Sequence, residues 1–270
     1  MIVAAGPFIG SFEDELFTFR PYVKYLHDNL NHDHFFVSTY KSRFFLYDWL
    51  KEESMFENIQ EKTTDFDGTT RKSISNRDYQ KIVGSFKEEI CNIVNARKKD
   101  IDIYKLKYKR IVNIPIDNKI FTRVVSNVDI PNEYKNRIVF ILNKNNYSET
   151  LKLIYHCKNN YNCLVIGSEA HHHLGYNDIY KLDNFNKYLY QYLVEIILNA
   201  KCVICSVGTW TFFCNFHGIP VFSWGENVGM YKKGTIYNFD NDCCTVWYKS
   251  GDVDKLTSSI DFFTEKLIKE

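Results

Sequence analysis

The feature that most narrows what this chain can fold into is a rhythm in its second half. Four short apolar runs, Arg137-Ile-Val-Phe-Ile-Leu142, Asn162-Cys-Leu-Val-Ile-Gly167, Lys201-Cys-Val-Ile-Cys205 and Ile219-Pro-Val-Phe-Ser-Trp224, are separated by stretches that read as helices. The runs are rich in β-branched and aromatic residues and are continuous rather than alternating, which marks strands buried on both faces. Such strands pair in parallel, and a parallel pair needs a crossover long enough to hold a helix. Ser148 to Asn159 and Lys187 to Asn199 supply two of these helices; a third follows Ser206-Val-Gly-Thr209 and ends at His217-Gly218.

The first half opens on the same theme. Met1-Ile-Val-Ala-Ala5 is a short apolar strand that breaks into the glycine-bounded loop Gly6-Pro-Phe-Ile-Gly10. Leu16, Phe19, Val23, Leu26 and Leu30 then recur at helical spacing, with Glu13, Asp14 and Glu15 in the first turn, where the helix dipole favours carboxylates. Phe35-Phe-Val-Ser-Thr39 is the next strand. Residues 48 to 100 are polar and are expected to be mostly helical, with a loop at Asp65-Phe-Asp-Gly68. The pattern restarts around Ile111-Val-Asn-Ile-Pro115 and Asp129-Ile-Pro131, so two domains are expected, residues 1–130 and 131–270. The expected fold class is α/β, two Rossmann-like lobes with parallel sheets.

Composition removes several classes of function. With 45% hydrophobic and 25% charged residues the chain is in the globular range, and a net charge of +1 gives it no global field for nucleic acid or an anionic membrane. The 16% aromatic content fits the codon bias of an AT-rich genome as readily as a function. A local basic run from Lys98 to Arg110, interleaved with Tyr104 and Tyr108, reads either as a solvated face or as a phosphate-tracking surface. No apolar run reaches the roughly 18 residues of a membrane span. Of eight cysteines, several sit in or beside strand-like runs, and no leader pattern precedes them, so reduced thiols in a cytoplasmic compartment are expected. Cys202-Val-Ile-Cys205 has redox spacing, but its apolar β-branched filling reads as a buried strand.

In open parallel sheets ligands bind beyond the carboxyl ends of the strands. Ser206, Gly208 and Thr209 follow a strand and open a helix, so they form either a capped tight turn or a cradle for a phosphate. Gly167, Ser168 and Glu169 close the preceding strand, where a carboxylate can accept hydrogen bonds from ribose hydroxyls. His171, His172 and His173 follow; three consecutive histidines cannot converge on one ion, which leaves His171 as a donor contact rather than a metal ligand. Lys144, just past Leu142, is placed to meet a diphosphate. At the first strand's exit Gly10 offers flexible backbone, and Glu13 or Glu15 is a candidate general base if burial raises its pKa; acidic first turns also serve only the dipole.

The run from Arg137 to Trp224 resembles the donor-binding half of heptosyltransferase-like glycosyltransferases with the two-lobed GT-B fold. Lys144 stands at the position of a phosphate-contacting lysine, and Leu164-Val-Ile-Gly167-Ser168 resembles the strand-to-glycine exit. Ala200 to Thr209, followed by Phe216-His-Gly218-Ile-Pro220-Val, resembles the phosphate-cradling turn, helix and G-x-P strand. Gly6-Pro-Phe-Ile-Gly10-Ser-Phe-Glu-Asp-Glu15-Leu is similar to a GPWxGEFGxEL opening of small glycosyltransferase-like proteins of microbes and their viruses. Ser11 replaces a Glu there and Glu13 a Gly, so Glu15 is the acidic residue carried over. The resemblance covers about half of the chain and leaves residues 40–130 unmatched. It implies an inverting transfer of sugar from a nucleotide-sugar co-substrate to a hydroxyl of a saccharide or a hydroxymethylated DNA base, without cofactor or metal; Asp65-Phe-Asp67 has metal-binding spacing but polar surroundings. The alternative is a non-catalytic nucleotide- or sugar-binding module, or one that binds another protein.

Overall fold

Every strand described pairs in parallel with its neighbours, and the strands form two separate sheets. The computed structural model describes residues 1–10, 12–58, 74–105, 124, 126, 128–142, 147–166, 185–225, 245–249 and 252–269. The chain divides into two compact units, Met1–Val125 and Ser126–Glu270, against an expected boundary at 130/131.

The first unit carries β1 (Ile2–Ala5), β2 (His34–Thr39), β3 (Met55–Glu57) and β4 (Ile101–Tyr104) in the order β3-β2-β1-β4. One face of the sheet packs Ala4, Phe36 and Phe56 against Phe86 and Ile90 of α3 (Asn76–Val94). The other face meets α2 (Arg20–Asn29), where His27 stacks edge-on against Phe35 at 5.2 Å. Helices on both faces are what a parallel sheet requires. The expected helix from Glu13 to Leu30 is present, but it begins as a single turn, α1 (Phe12–Asp14), and widens to a π-helix over Glu15–Phe19 before α2. Pro21 is the physical reason, since its ring crowds the carbonyl four residues earlier and it cannot donate to the helical ladder.

The second unit carries β5 (Ile138–Ile141), β6 (Leu164–Ile166), β7 (Cys202–Ser206), β8 (Val221–Gly225) and β9 (Thr245–Lys249) in the order β6-β5-β7-β8-β9. Phe140, Ile204, Phe222 and Trp224 lie on one face under α4 (Tyr147–Tyr161) and α7 (Val253–Lys269), with Leu153, Ile154, Leu256 and Ile260 in the same core. The opposite face receives α6 (Thr209–His217), whose Thr211 bonds Cys205 and Ser223. α5 (Phe185–Leu198) buries Leu193, Val194, Ile196 and Ile197.

The segment expected to be mostly helical over residues 48 to 100 contains β3, and β4 follows it directly. Both are edge strands with exposed polar residues, Glu57 and Asp102, so neither shows the continuous apolar run of a central strand. β4 also splits the basic run that begins at Lys98, whose ammonium pairs with Glu88 at 3.5 Å. Cys202 joins one face's core while Cys205 bonds Ser223 on the other, so their CxxC spacing turns the two thiols to opposite sides of β7. The six cysteines among the described residues are free thiols, and no helix among those residues is long and apolar enough to cross a membrane.

Candidate functional site

In the first unit the strand order reverses between β1 and β4, and the crevice of such a sheet opens beyond the carboxyl ends of those strands. The Gly6 to Gly10 loop fills that place. Gly6 has φ +105°, and a Cβ there would stand 2.6 Å from the Ser38 carbonyl oxygen, so only glycine fits. The Gly6 amide donates to Tyr104 and the Phe8 amide to Ser38, which pins the loop across β4 and β2. Tyr79 of α3 adds a hydroxyl bond to the Pro7 carbonyl at 3.1 Å.

Behind this loop Glu15 is fully buried. One carboxylate oxygen accepts from the Thr39 hydroxyl at 2.5 Å and the Tyr47 hydroxyl at 2.7 Å; the other accepts from the Arg43 guanidinium at 3.0 Å. The same Arg43 nitrogen donates to the Gly10 carbonyl at 3.0 Å, so the arginine ties the carboxylate to the loop. Arg43 is itself fully buried and lies over the Tyr40 ring at 4.2 Å. Burial raises the Glu15 pKa above the ordinary glutamate value, opposed by the Arg43 charge and the Thr39 and Tyr47 hydroxyls. Burial, reinforced by the Glu15 charge, pushes the Tyr47 phenol well up, so it stays a donor. A buried charge is tolerable when its partner and its hydrogen bonds are all in place.

In the second unit the reversal lies between β5 and β7, and the Ser206–Thr209 turn leaves β7 at that edge. Its backbone is already engaged: the Val207 amide donates to the Trp224 carbonyl at 2.7 Å, and the Gly208 amide to the Thr211 hydroxyl at 3.3 Å. Thr211 passes the connection on to Ser223 at 2.9 Å, and Cys205 lies 3.6 Å from both hydroxyls. This buried cluster fixes the turn on the sheet. By contrast, the Ser206 hydroxyl is buried with no hydrogen-bond partner among the described residues, and so is the indole N–H of Trp224, its register partner on β8. Two unpaired polar groups side by side on one sheet face are rare in native interiors.

Of the residues singled out from sequence, Gly10 and Glu15 are joined through Arg43, and Ser206, Gly208 and Thr209 form one turn, with Gly208 capping α6. Glu13 lies in the helical turn α1. Lys144, Gly167, Ser168, Glu169 and His171 lie outside the described residues. Thr39, Arg43 and Tyr47, and likewise Ser223, carry no signal in sequence because they reach their sites through parallel crossovers, whereas Thr211 is local, three residues past Gly208 in the same turn and helix. The chain matches no family model, no curated protein and no solved structure.

Proposed function

We propose that the protein is a glycosyltransferase of GT-B type that moves a sugar from a nucleotide-sugar donor to an acceptor hydroxyl on a saccharide or a hydroxymethylated DNA base. The observation that carries the reading is the unpaired Ser206 hydroxyl in a turn at the strand-order reversal of the second sheet, where ligands of doubly wound folds gather. A donor phosphate oxygen there would accept from Ser206, and α6 turns its positive end to the same turn. In the transfer the acceptor oxygen attacks the anomeric carbon, the bond to the diphosphate breaks, and a base takes the acceptor's proton. Glu15 is spent on Thr39, Tyr47 and Arg43, so it positions the Gly10 loop, and the base role falls to Glu13. Helix N-termini and lysines stabilise a departing diphosphate without a metal ion.

The closed state of Glu15 also favours a second reading, a module that binds the nucleotide without turnover. A thermal-shift panel of nucleoside diphosphates and nucleotide sugars tests both, since a ligand at 100 times its Kd adds about 2.7 kcal/mol to stability. The expected result is a shift selective for one base and lost in Ser206→Ala/Thr209→Ala. No shift with any donor overturns both readings. A shift with sugar release abolished by Glu13→Gln supports the enzyme, and a shift with no sugar release supports the silent module.

A further inference from the structure

On the α3 side of the first sheet, a cavity of about 160 Å³ opens at the carboxyl ends of β2 and β3. It has room for about five waters, given roughly 30 Å³ of liquid volume each, and is smaller than the roughly 300–1,000 Å³ of a drug-sized site. Its floor is Ser38 with the rings of Phe56 and Phe86, all three buried. Register makes this floor: Ser38 pairs with Phe56, so both side chains project from one face, and Phe86 meets Phe56 at a ring distance of 5.3 Å. Lys81, Ser85 and Glu89 form the helix side of the rim at a spacing of four, and Glu57 ends β3 opposite them.

Ser38 is 1% exposed, and its hydroxyl has no hydrogen-bond partner among the described residues although it lines a cavity. An unpaired buried hydroxyl is costly, and a group entering the cavity would relieve it. The rim limits what that group can be. Lys81 is held by Asp78 at 3.0 Å, whereas no ion pair or hydrogen bond engages the Glu89 carboxylate among the described residues. Anions are therefore disfavoured, while hydroxyl groups satisfy these features at once: they donate to the Glu89 carboxylate, and they either donate to or accept from Ser38. The phenyl floor suits the C–H face of a saturated ring.

We propose that this cavity is a binding site for one uncharged polyhydroxylated ring, a single saccharide unit. The inference stands on the first unit alone and does not depend on a nucleotide bound in the second. Under the transferase reading it is the acceptor subsite; without that reading it is a sugar-binding site.

Saturation-transfer NMR with free glucose, galactose, mannose, xylose and N-acetylglucosamine, no nucleotide present, tests it directly. At least one sugar is expected to bind, with affinity reduced about tenfold in Ser38→Ala and in Glu89→Gln, the loss of one hydrogen bond each. Ser85→Trp, an exposed change that plugs the mouth, is expected to abolish binding while the melting temperature holds. Binding by none of the sugars, binding unchanged in all three variants, or binding of putrescine in preference to any sugar would overturn the proposal. Because no donor is used, failure here leaves the donor reading standing, and failure of the nucleotide panel leaves this site standing.

Discussion

In each sheet one connection leaves a strand beside the reversal of strand order, the loop after β1 and the turn after β7, and the protein treats the two in opposite ways. At the first, every polar atom of a buried ion pair is answered from within: Glu15 accepts three hydrogen bonds, and Arg43 reaches back to the Gly10 carbonyl. At the second, the backbone of the turn is locked by Trp224 and Thr211 while the Ser206 hydroxyl and Trp224 indole N–H are left unanswered. A fully satisfied buried network holds one conformation, whereas a buried donor without a partner among the described residues stands out from native interiors. Under the proposed donor reading the first place is a hinge pin for the loop and the second a socket.

The largest effect expected from breaking this contrast is at Arg43. Arg43→Met keeps most of the volume but leaves the Glu15 carboxylate buried without its counter-ion, a loss of about 3–5 kcal/mol in urea unfolding. Glu15→Leu combined with Arg43→Met should cost less than Arg43→Met alone, since the orphaned charge goes with its partner. The single variant should also be hurt more at about pH 8 than at about pH 5, where Glu15 can protonate. If the double variant is the less stable of the two, the pair is more than a matched charge and the hinge-pin view fails.

A subtler test uses the proton itself. The Glu15 pKa is raised in the folded protein, so between the ordinary value of 4.5 and its folded value the native state holds more proton than the unfolded chain. The sign follows: this contribution is complete below 4.5 and is lost as pH rises through the folded pKa. Wild type minus Glu15→Gln, followed as unfolding midpoints across that window, should show stability falling with pH. A difference that rises instead would mean that Arg43 outweighs burial. On the socket side, Thr211→Val should cost about 1–3 kcal/mol, because the Gly208 amide and the Ser223 hydroxyl both lose a buried partner.

What sequence could disclose divides along the same line. β1, β2, β5, β7 and β8 are legible because central parallel strands must be apolar on both faces, and β6, although an edge strand, is legible because its residues Leu164 to Ile166 are all apolar and buried. β3 is three residues with an exposed Glu57, and β4 exposes Asp102 amid lysines, so a short edge strand with a charged residue facing out hides both. Glu15 is visible as a carboxylate in a first helical turn, but its partners Thr39, Arg43 and Tyr47 stand 24, 28 and 32 residues away and meet it through a crossover. The Ser206 turn is visible because strand, turn and helix are contiguous; that its hydroxyl lacks a partner depends on β8, which no local pattern encodes.

The smallest effect is the sharpest test of the socket. Ser206→Ala removes a hydroxyl that bonds to nothing among the described residues, so stability without added nucleotide should stay within about 0.5 kcal/mol of wild type or rise slightly, unlike Thr211→Val a few residues away. The same substitution should erase the stabilisation that a nucleoside diphosphate confers, so it is silent without ligand and costly with it. A loss of about 1–3 kcal/mol in the ligand-free protein would show that Ser206 already has a partner. The two sheets would then be closed alike, and the contrast that singles out the β7 turn would be gone.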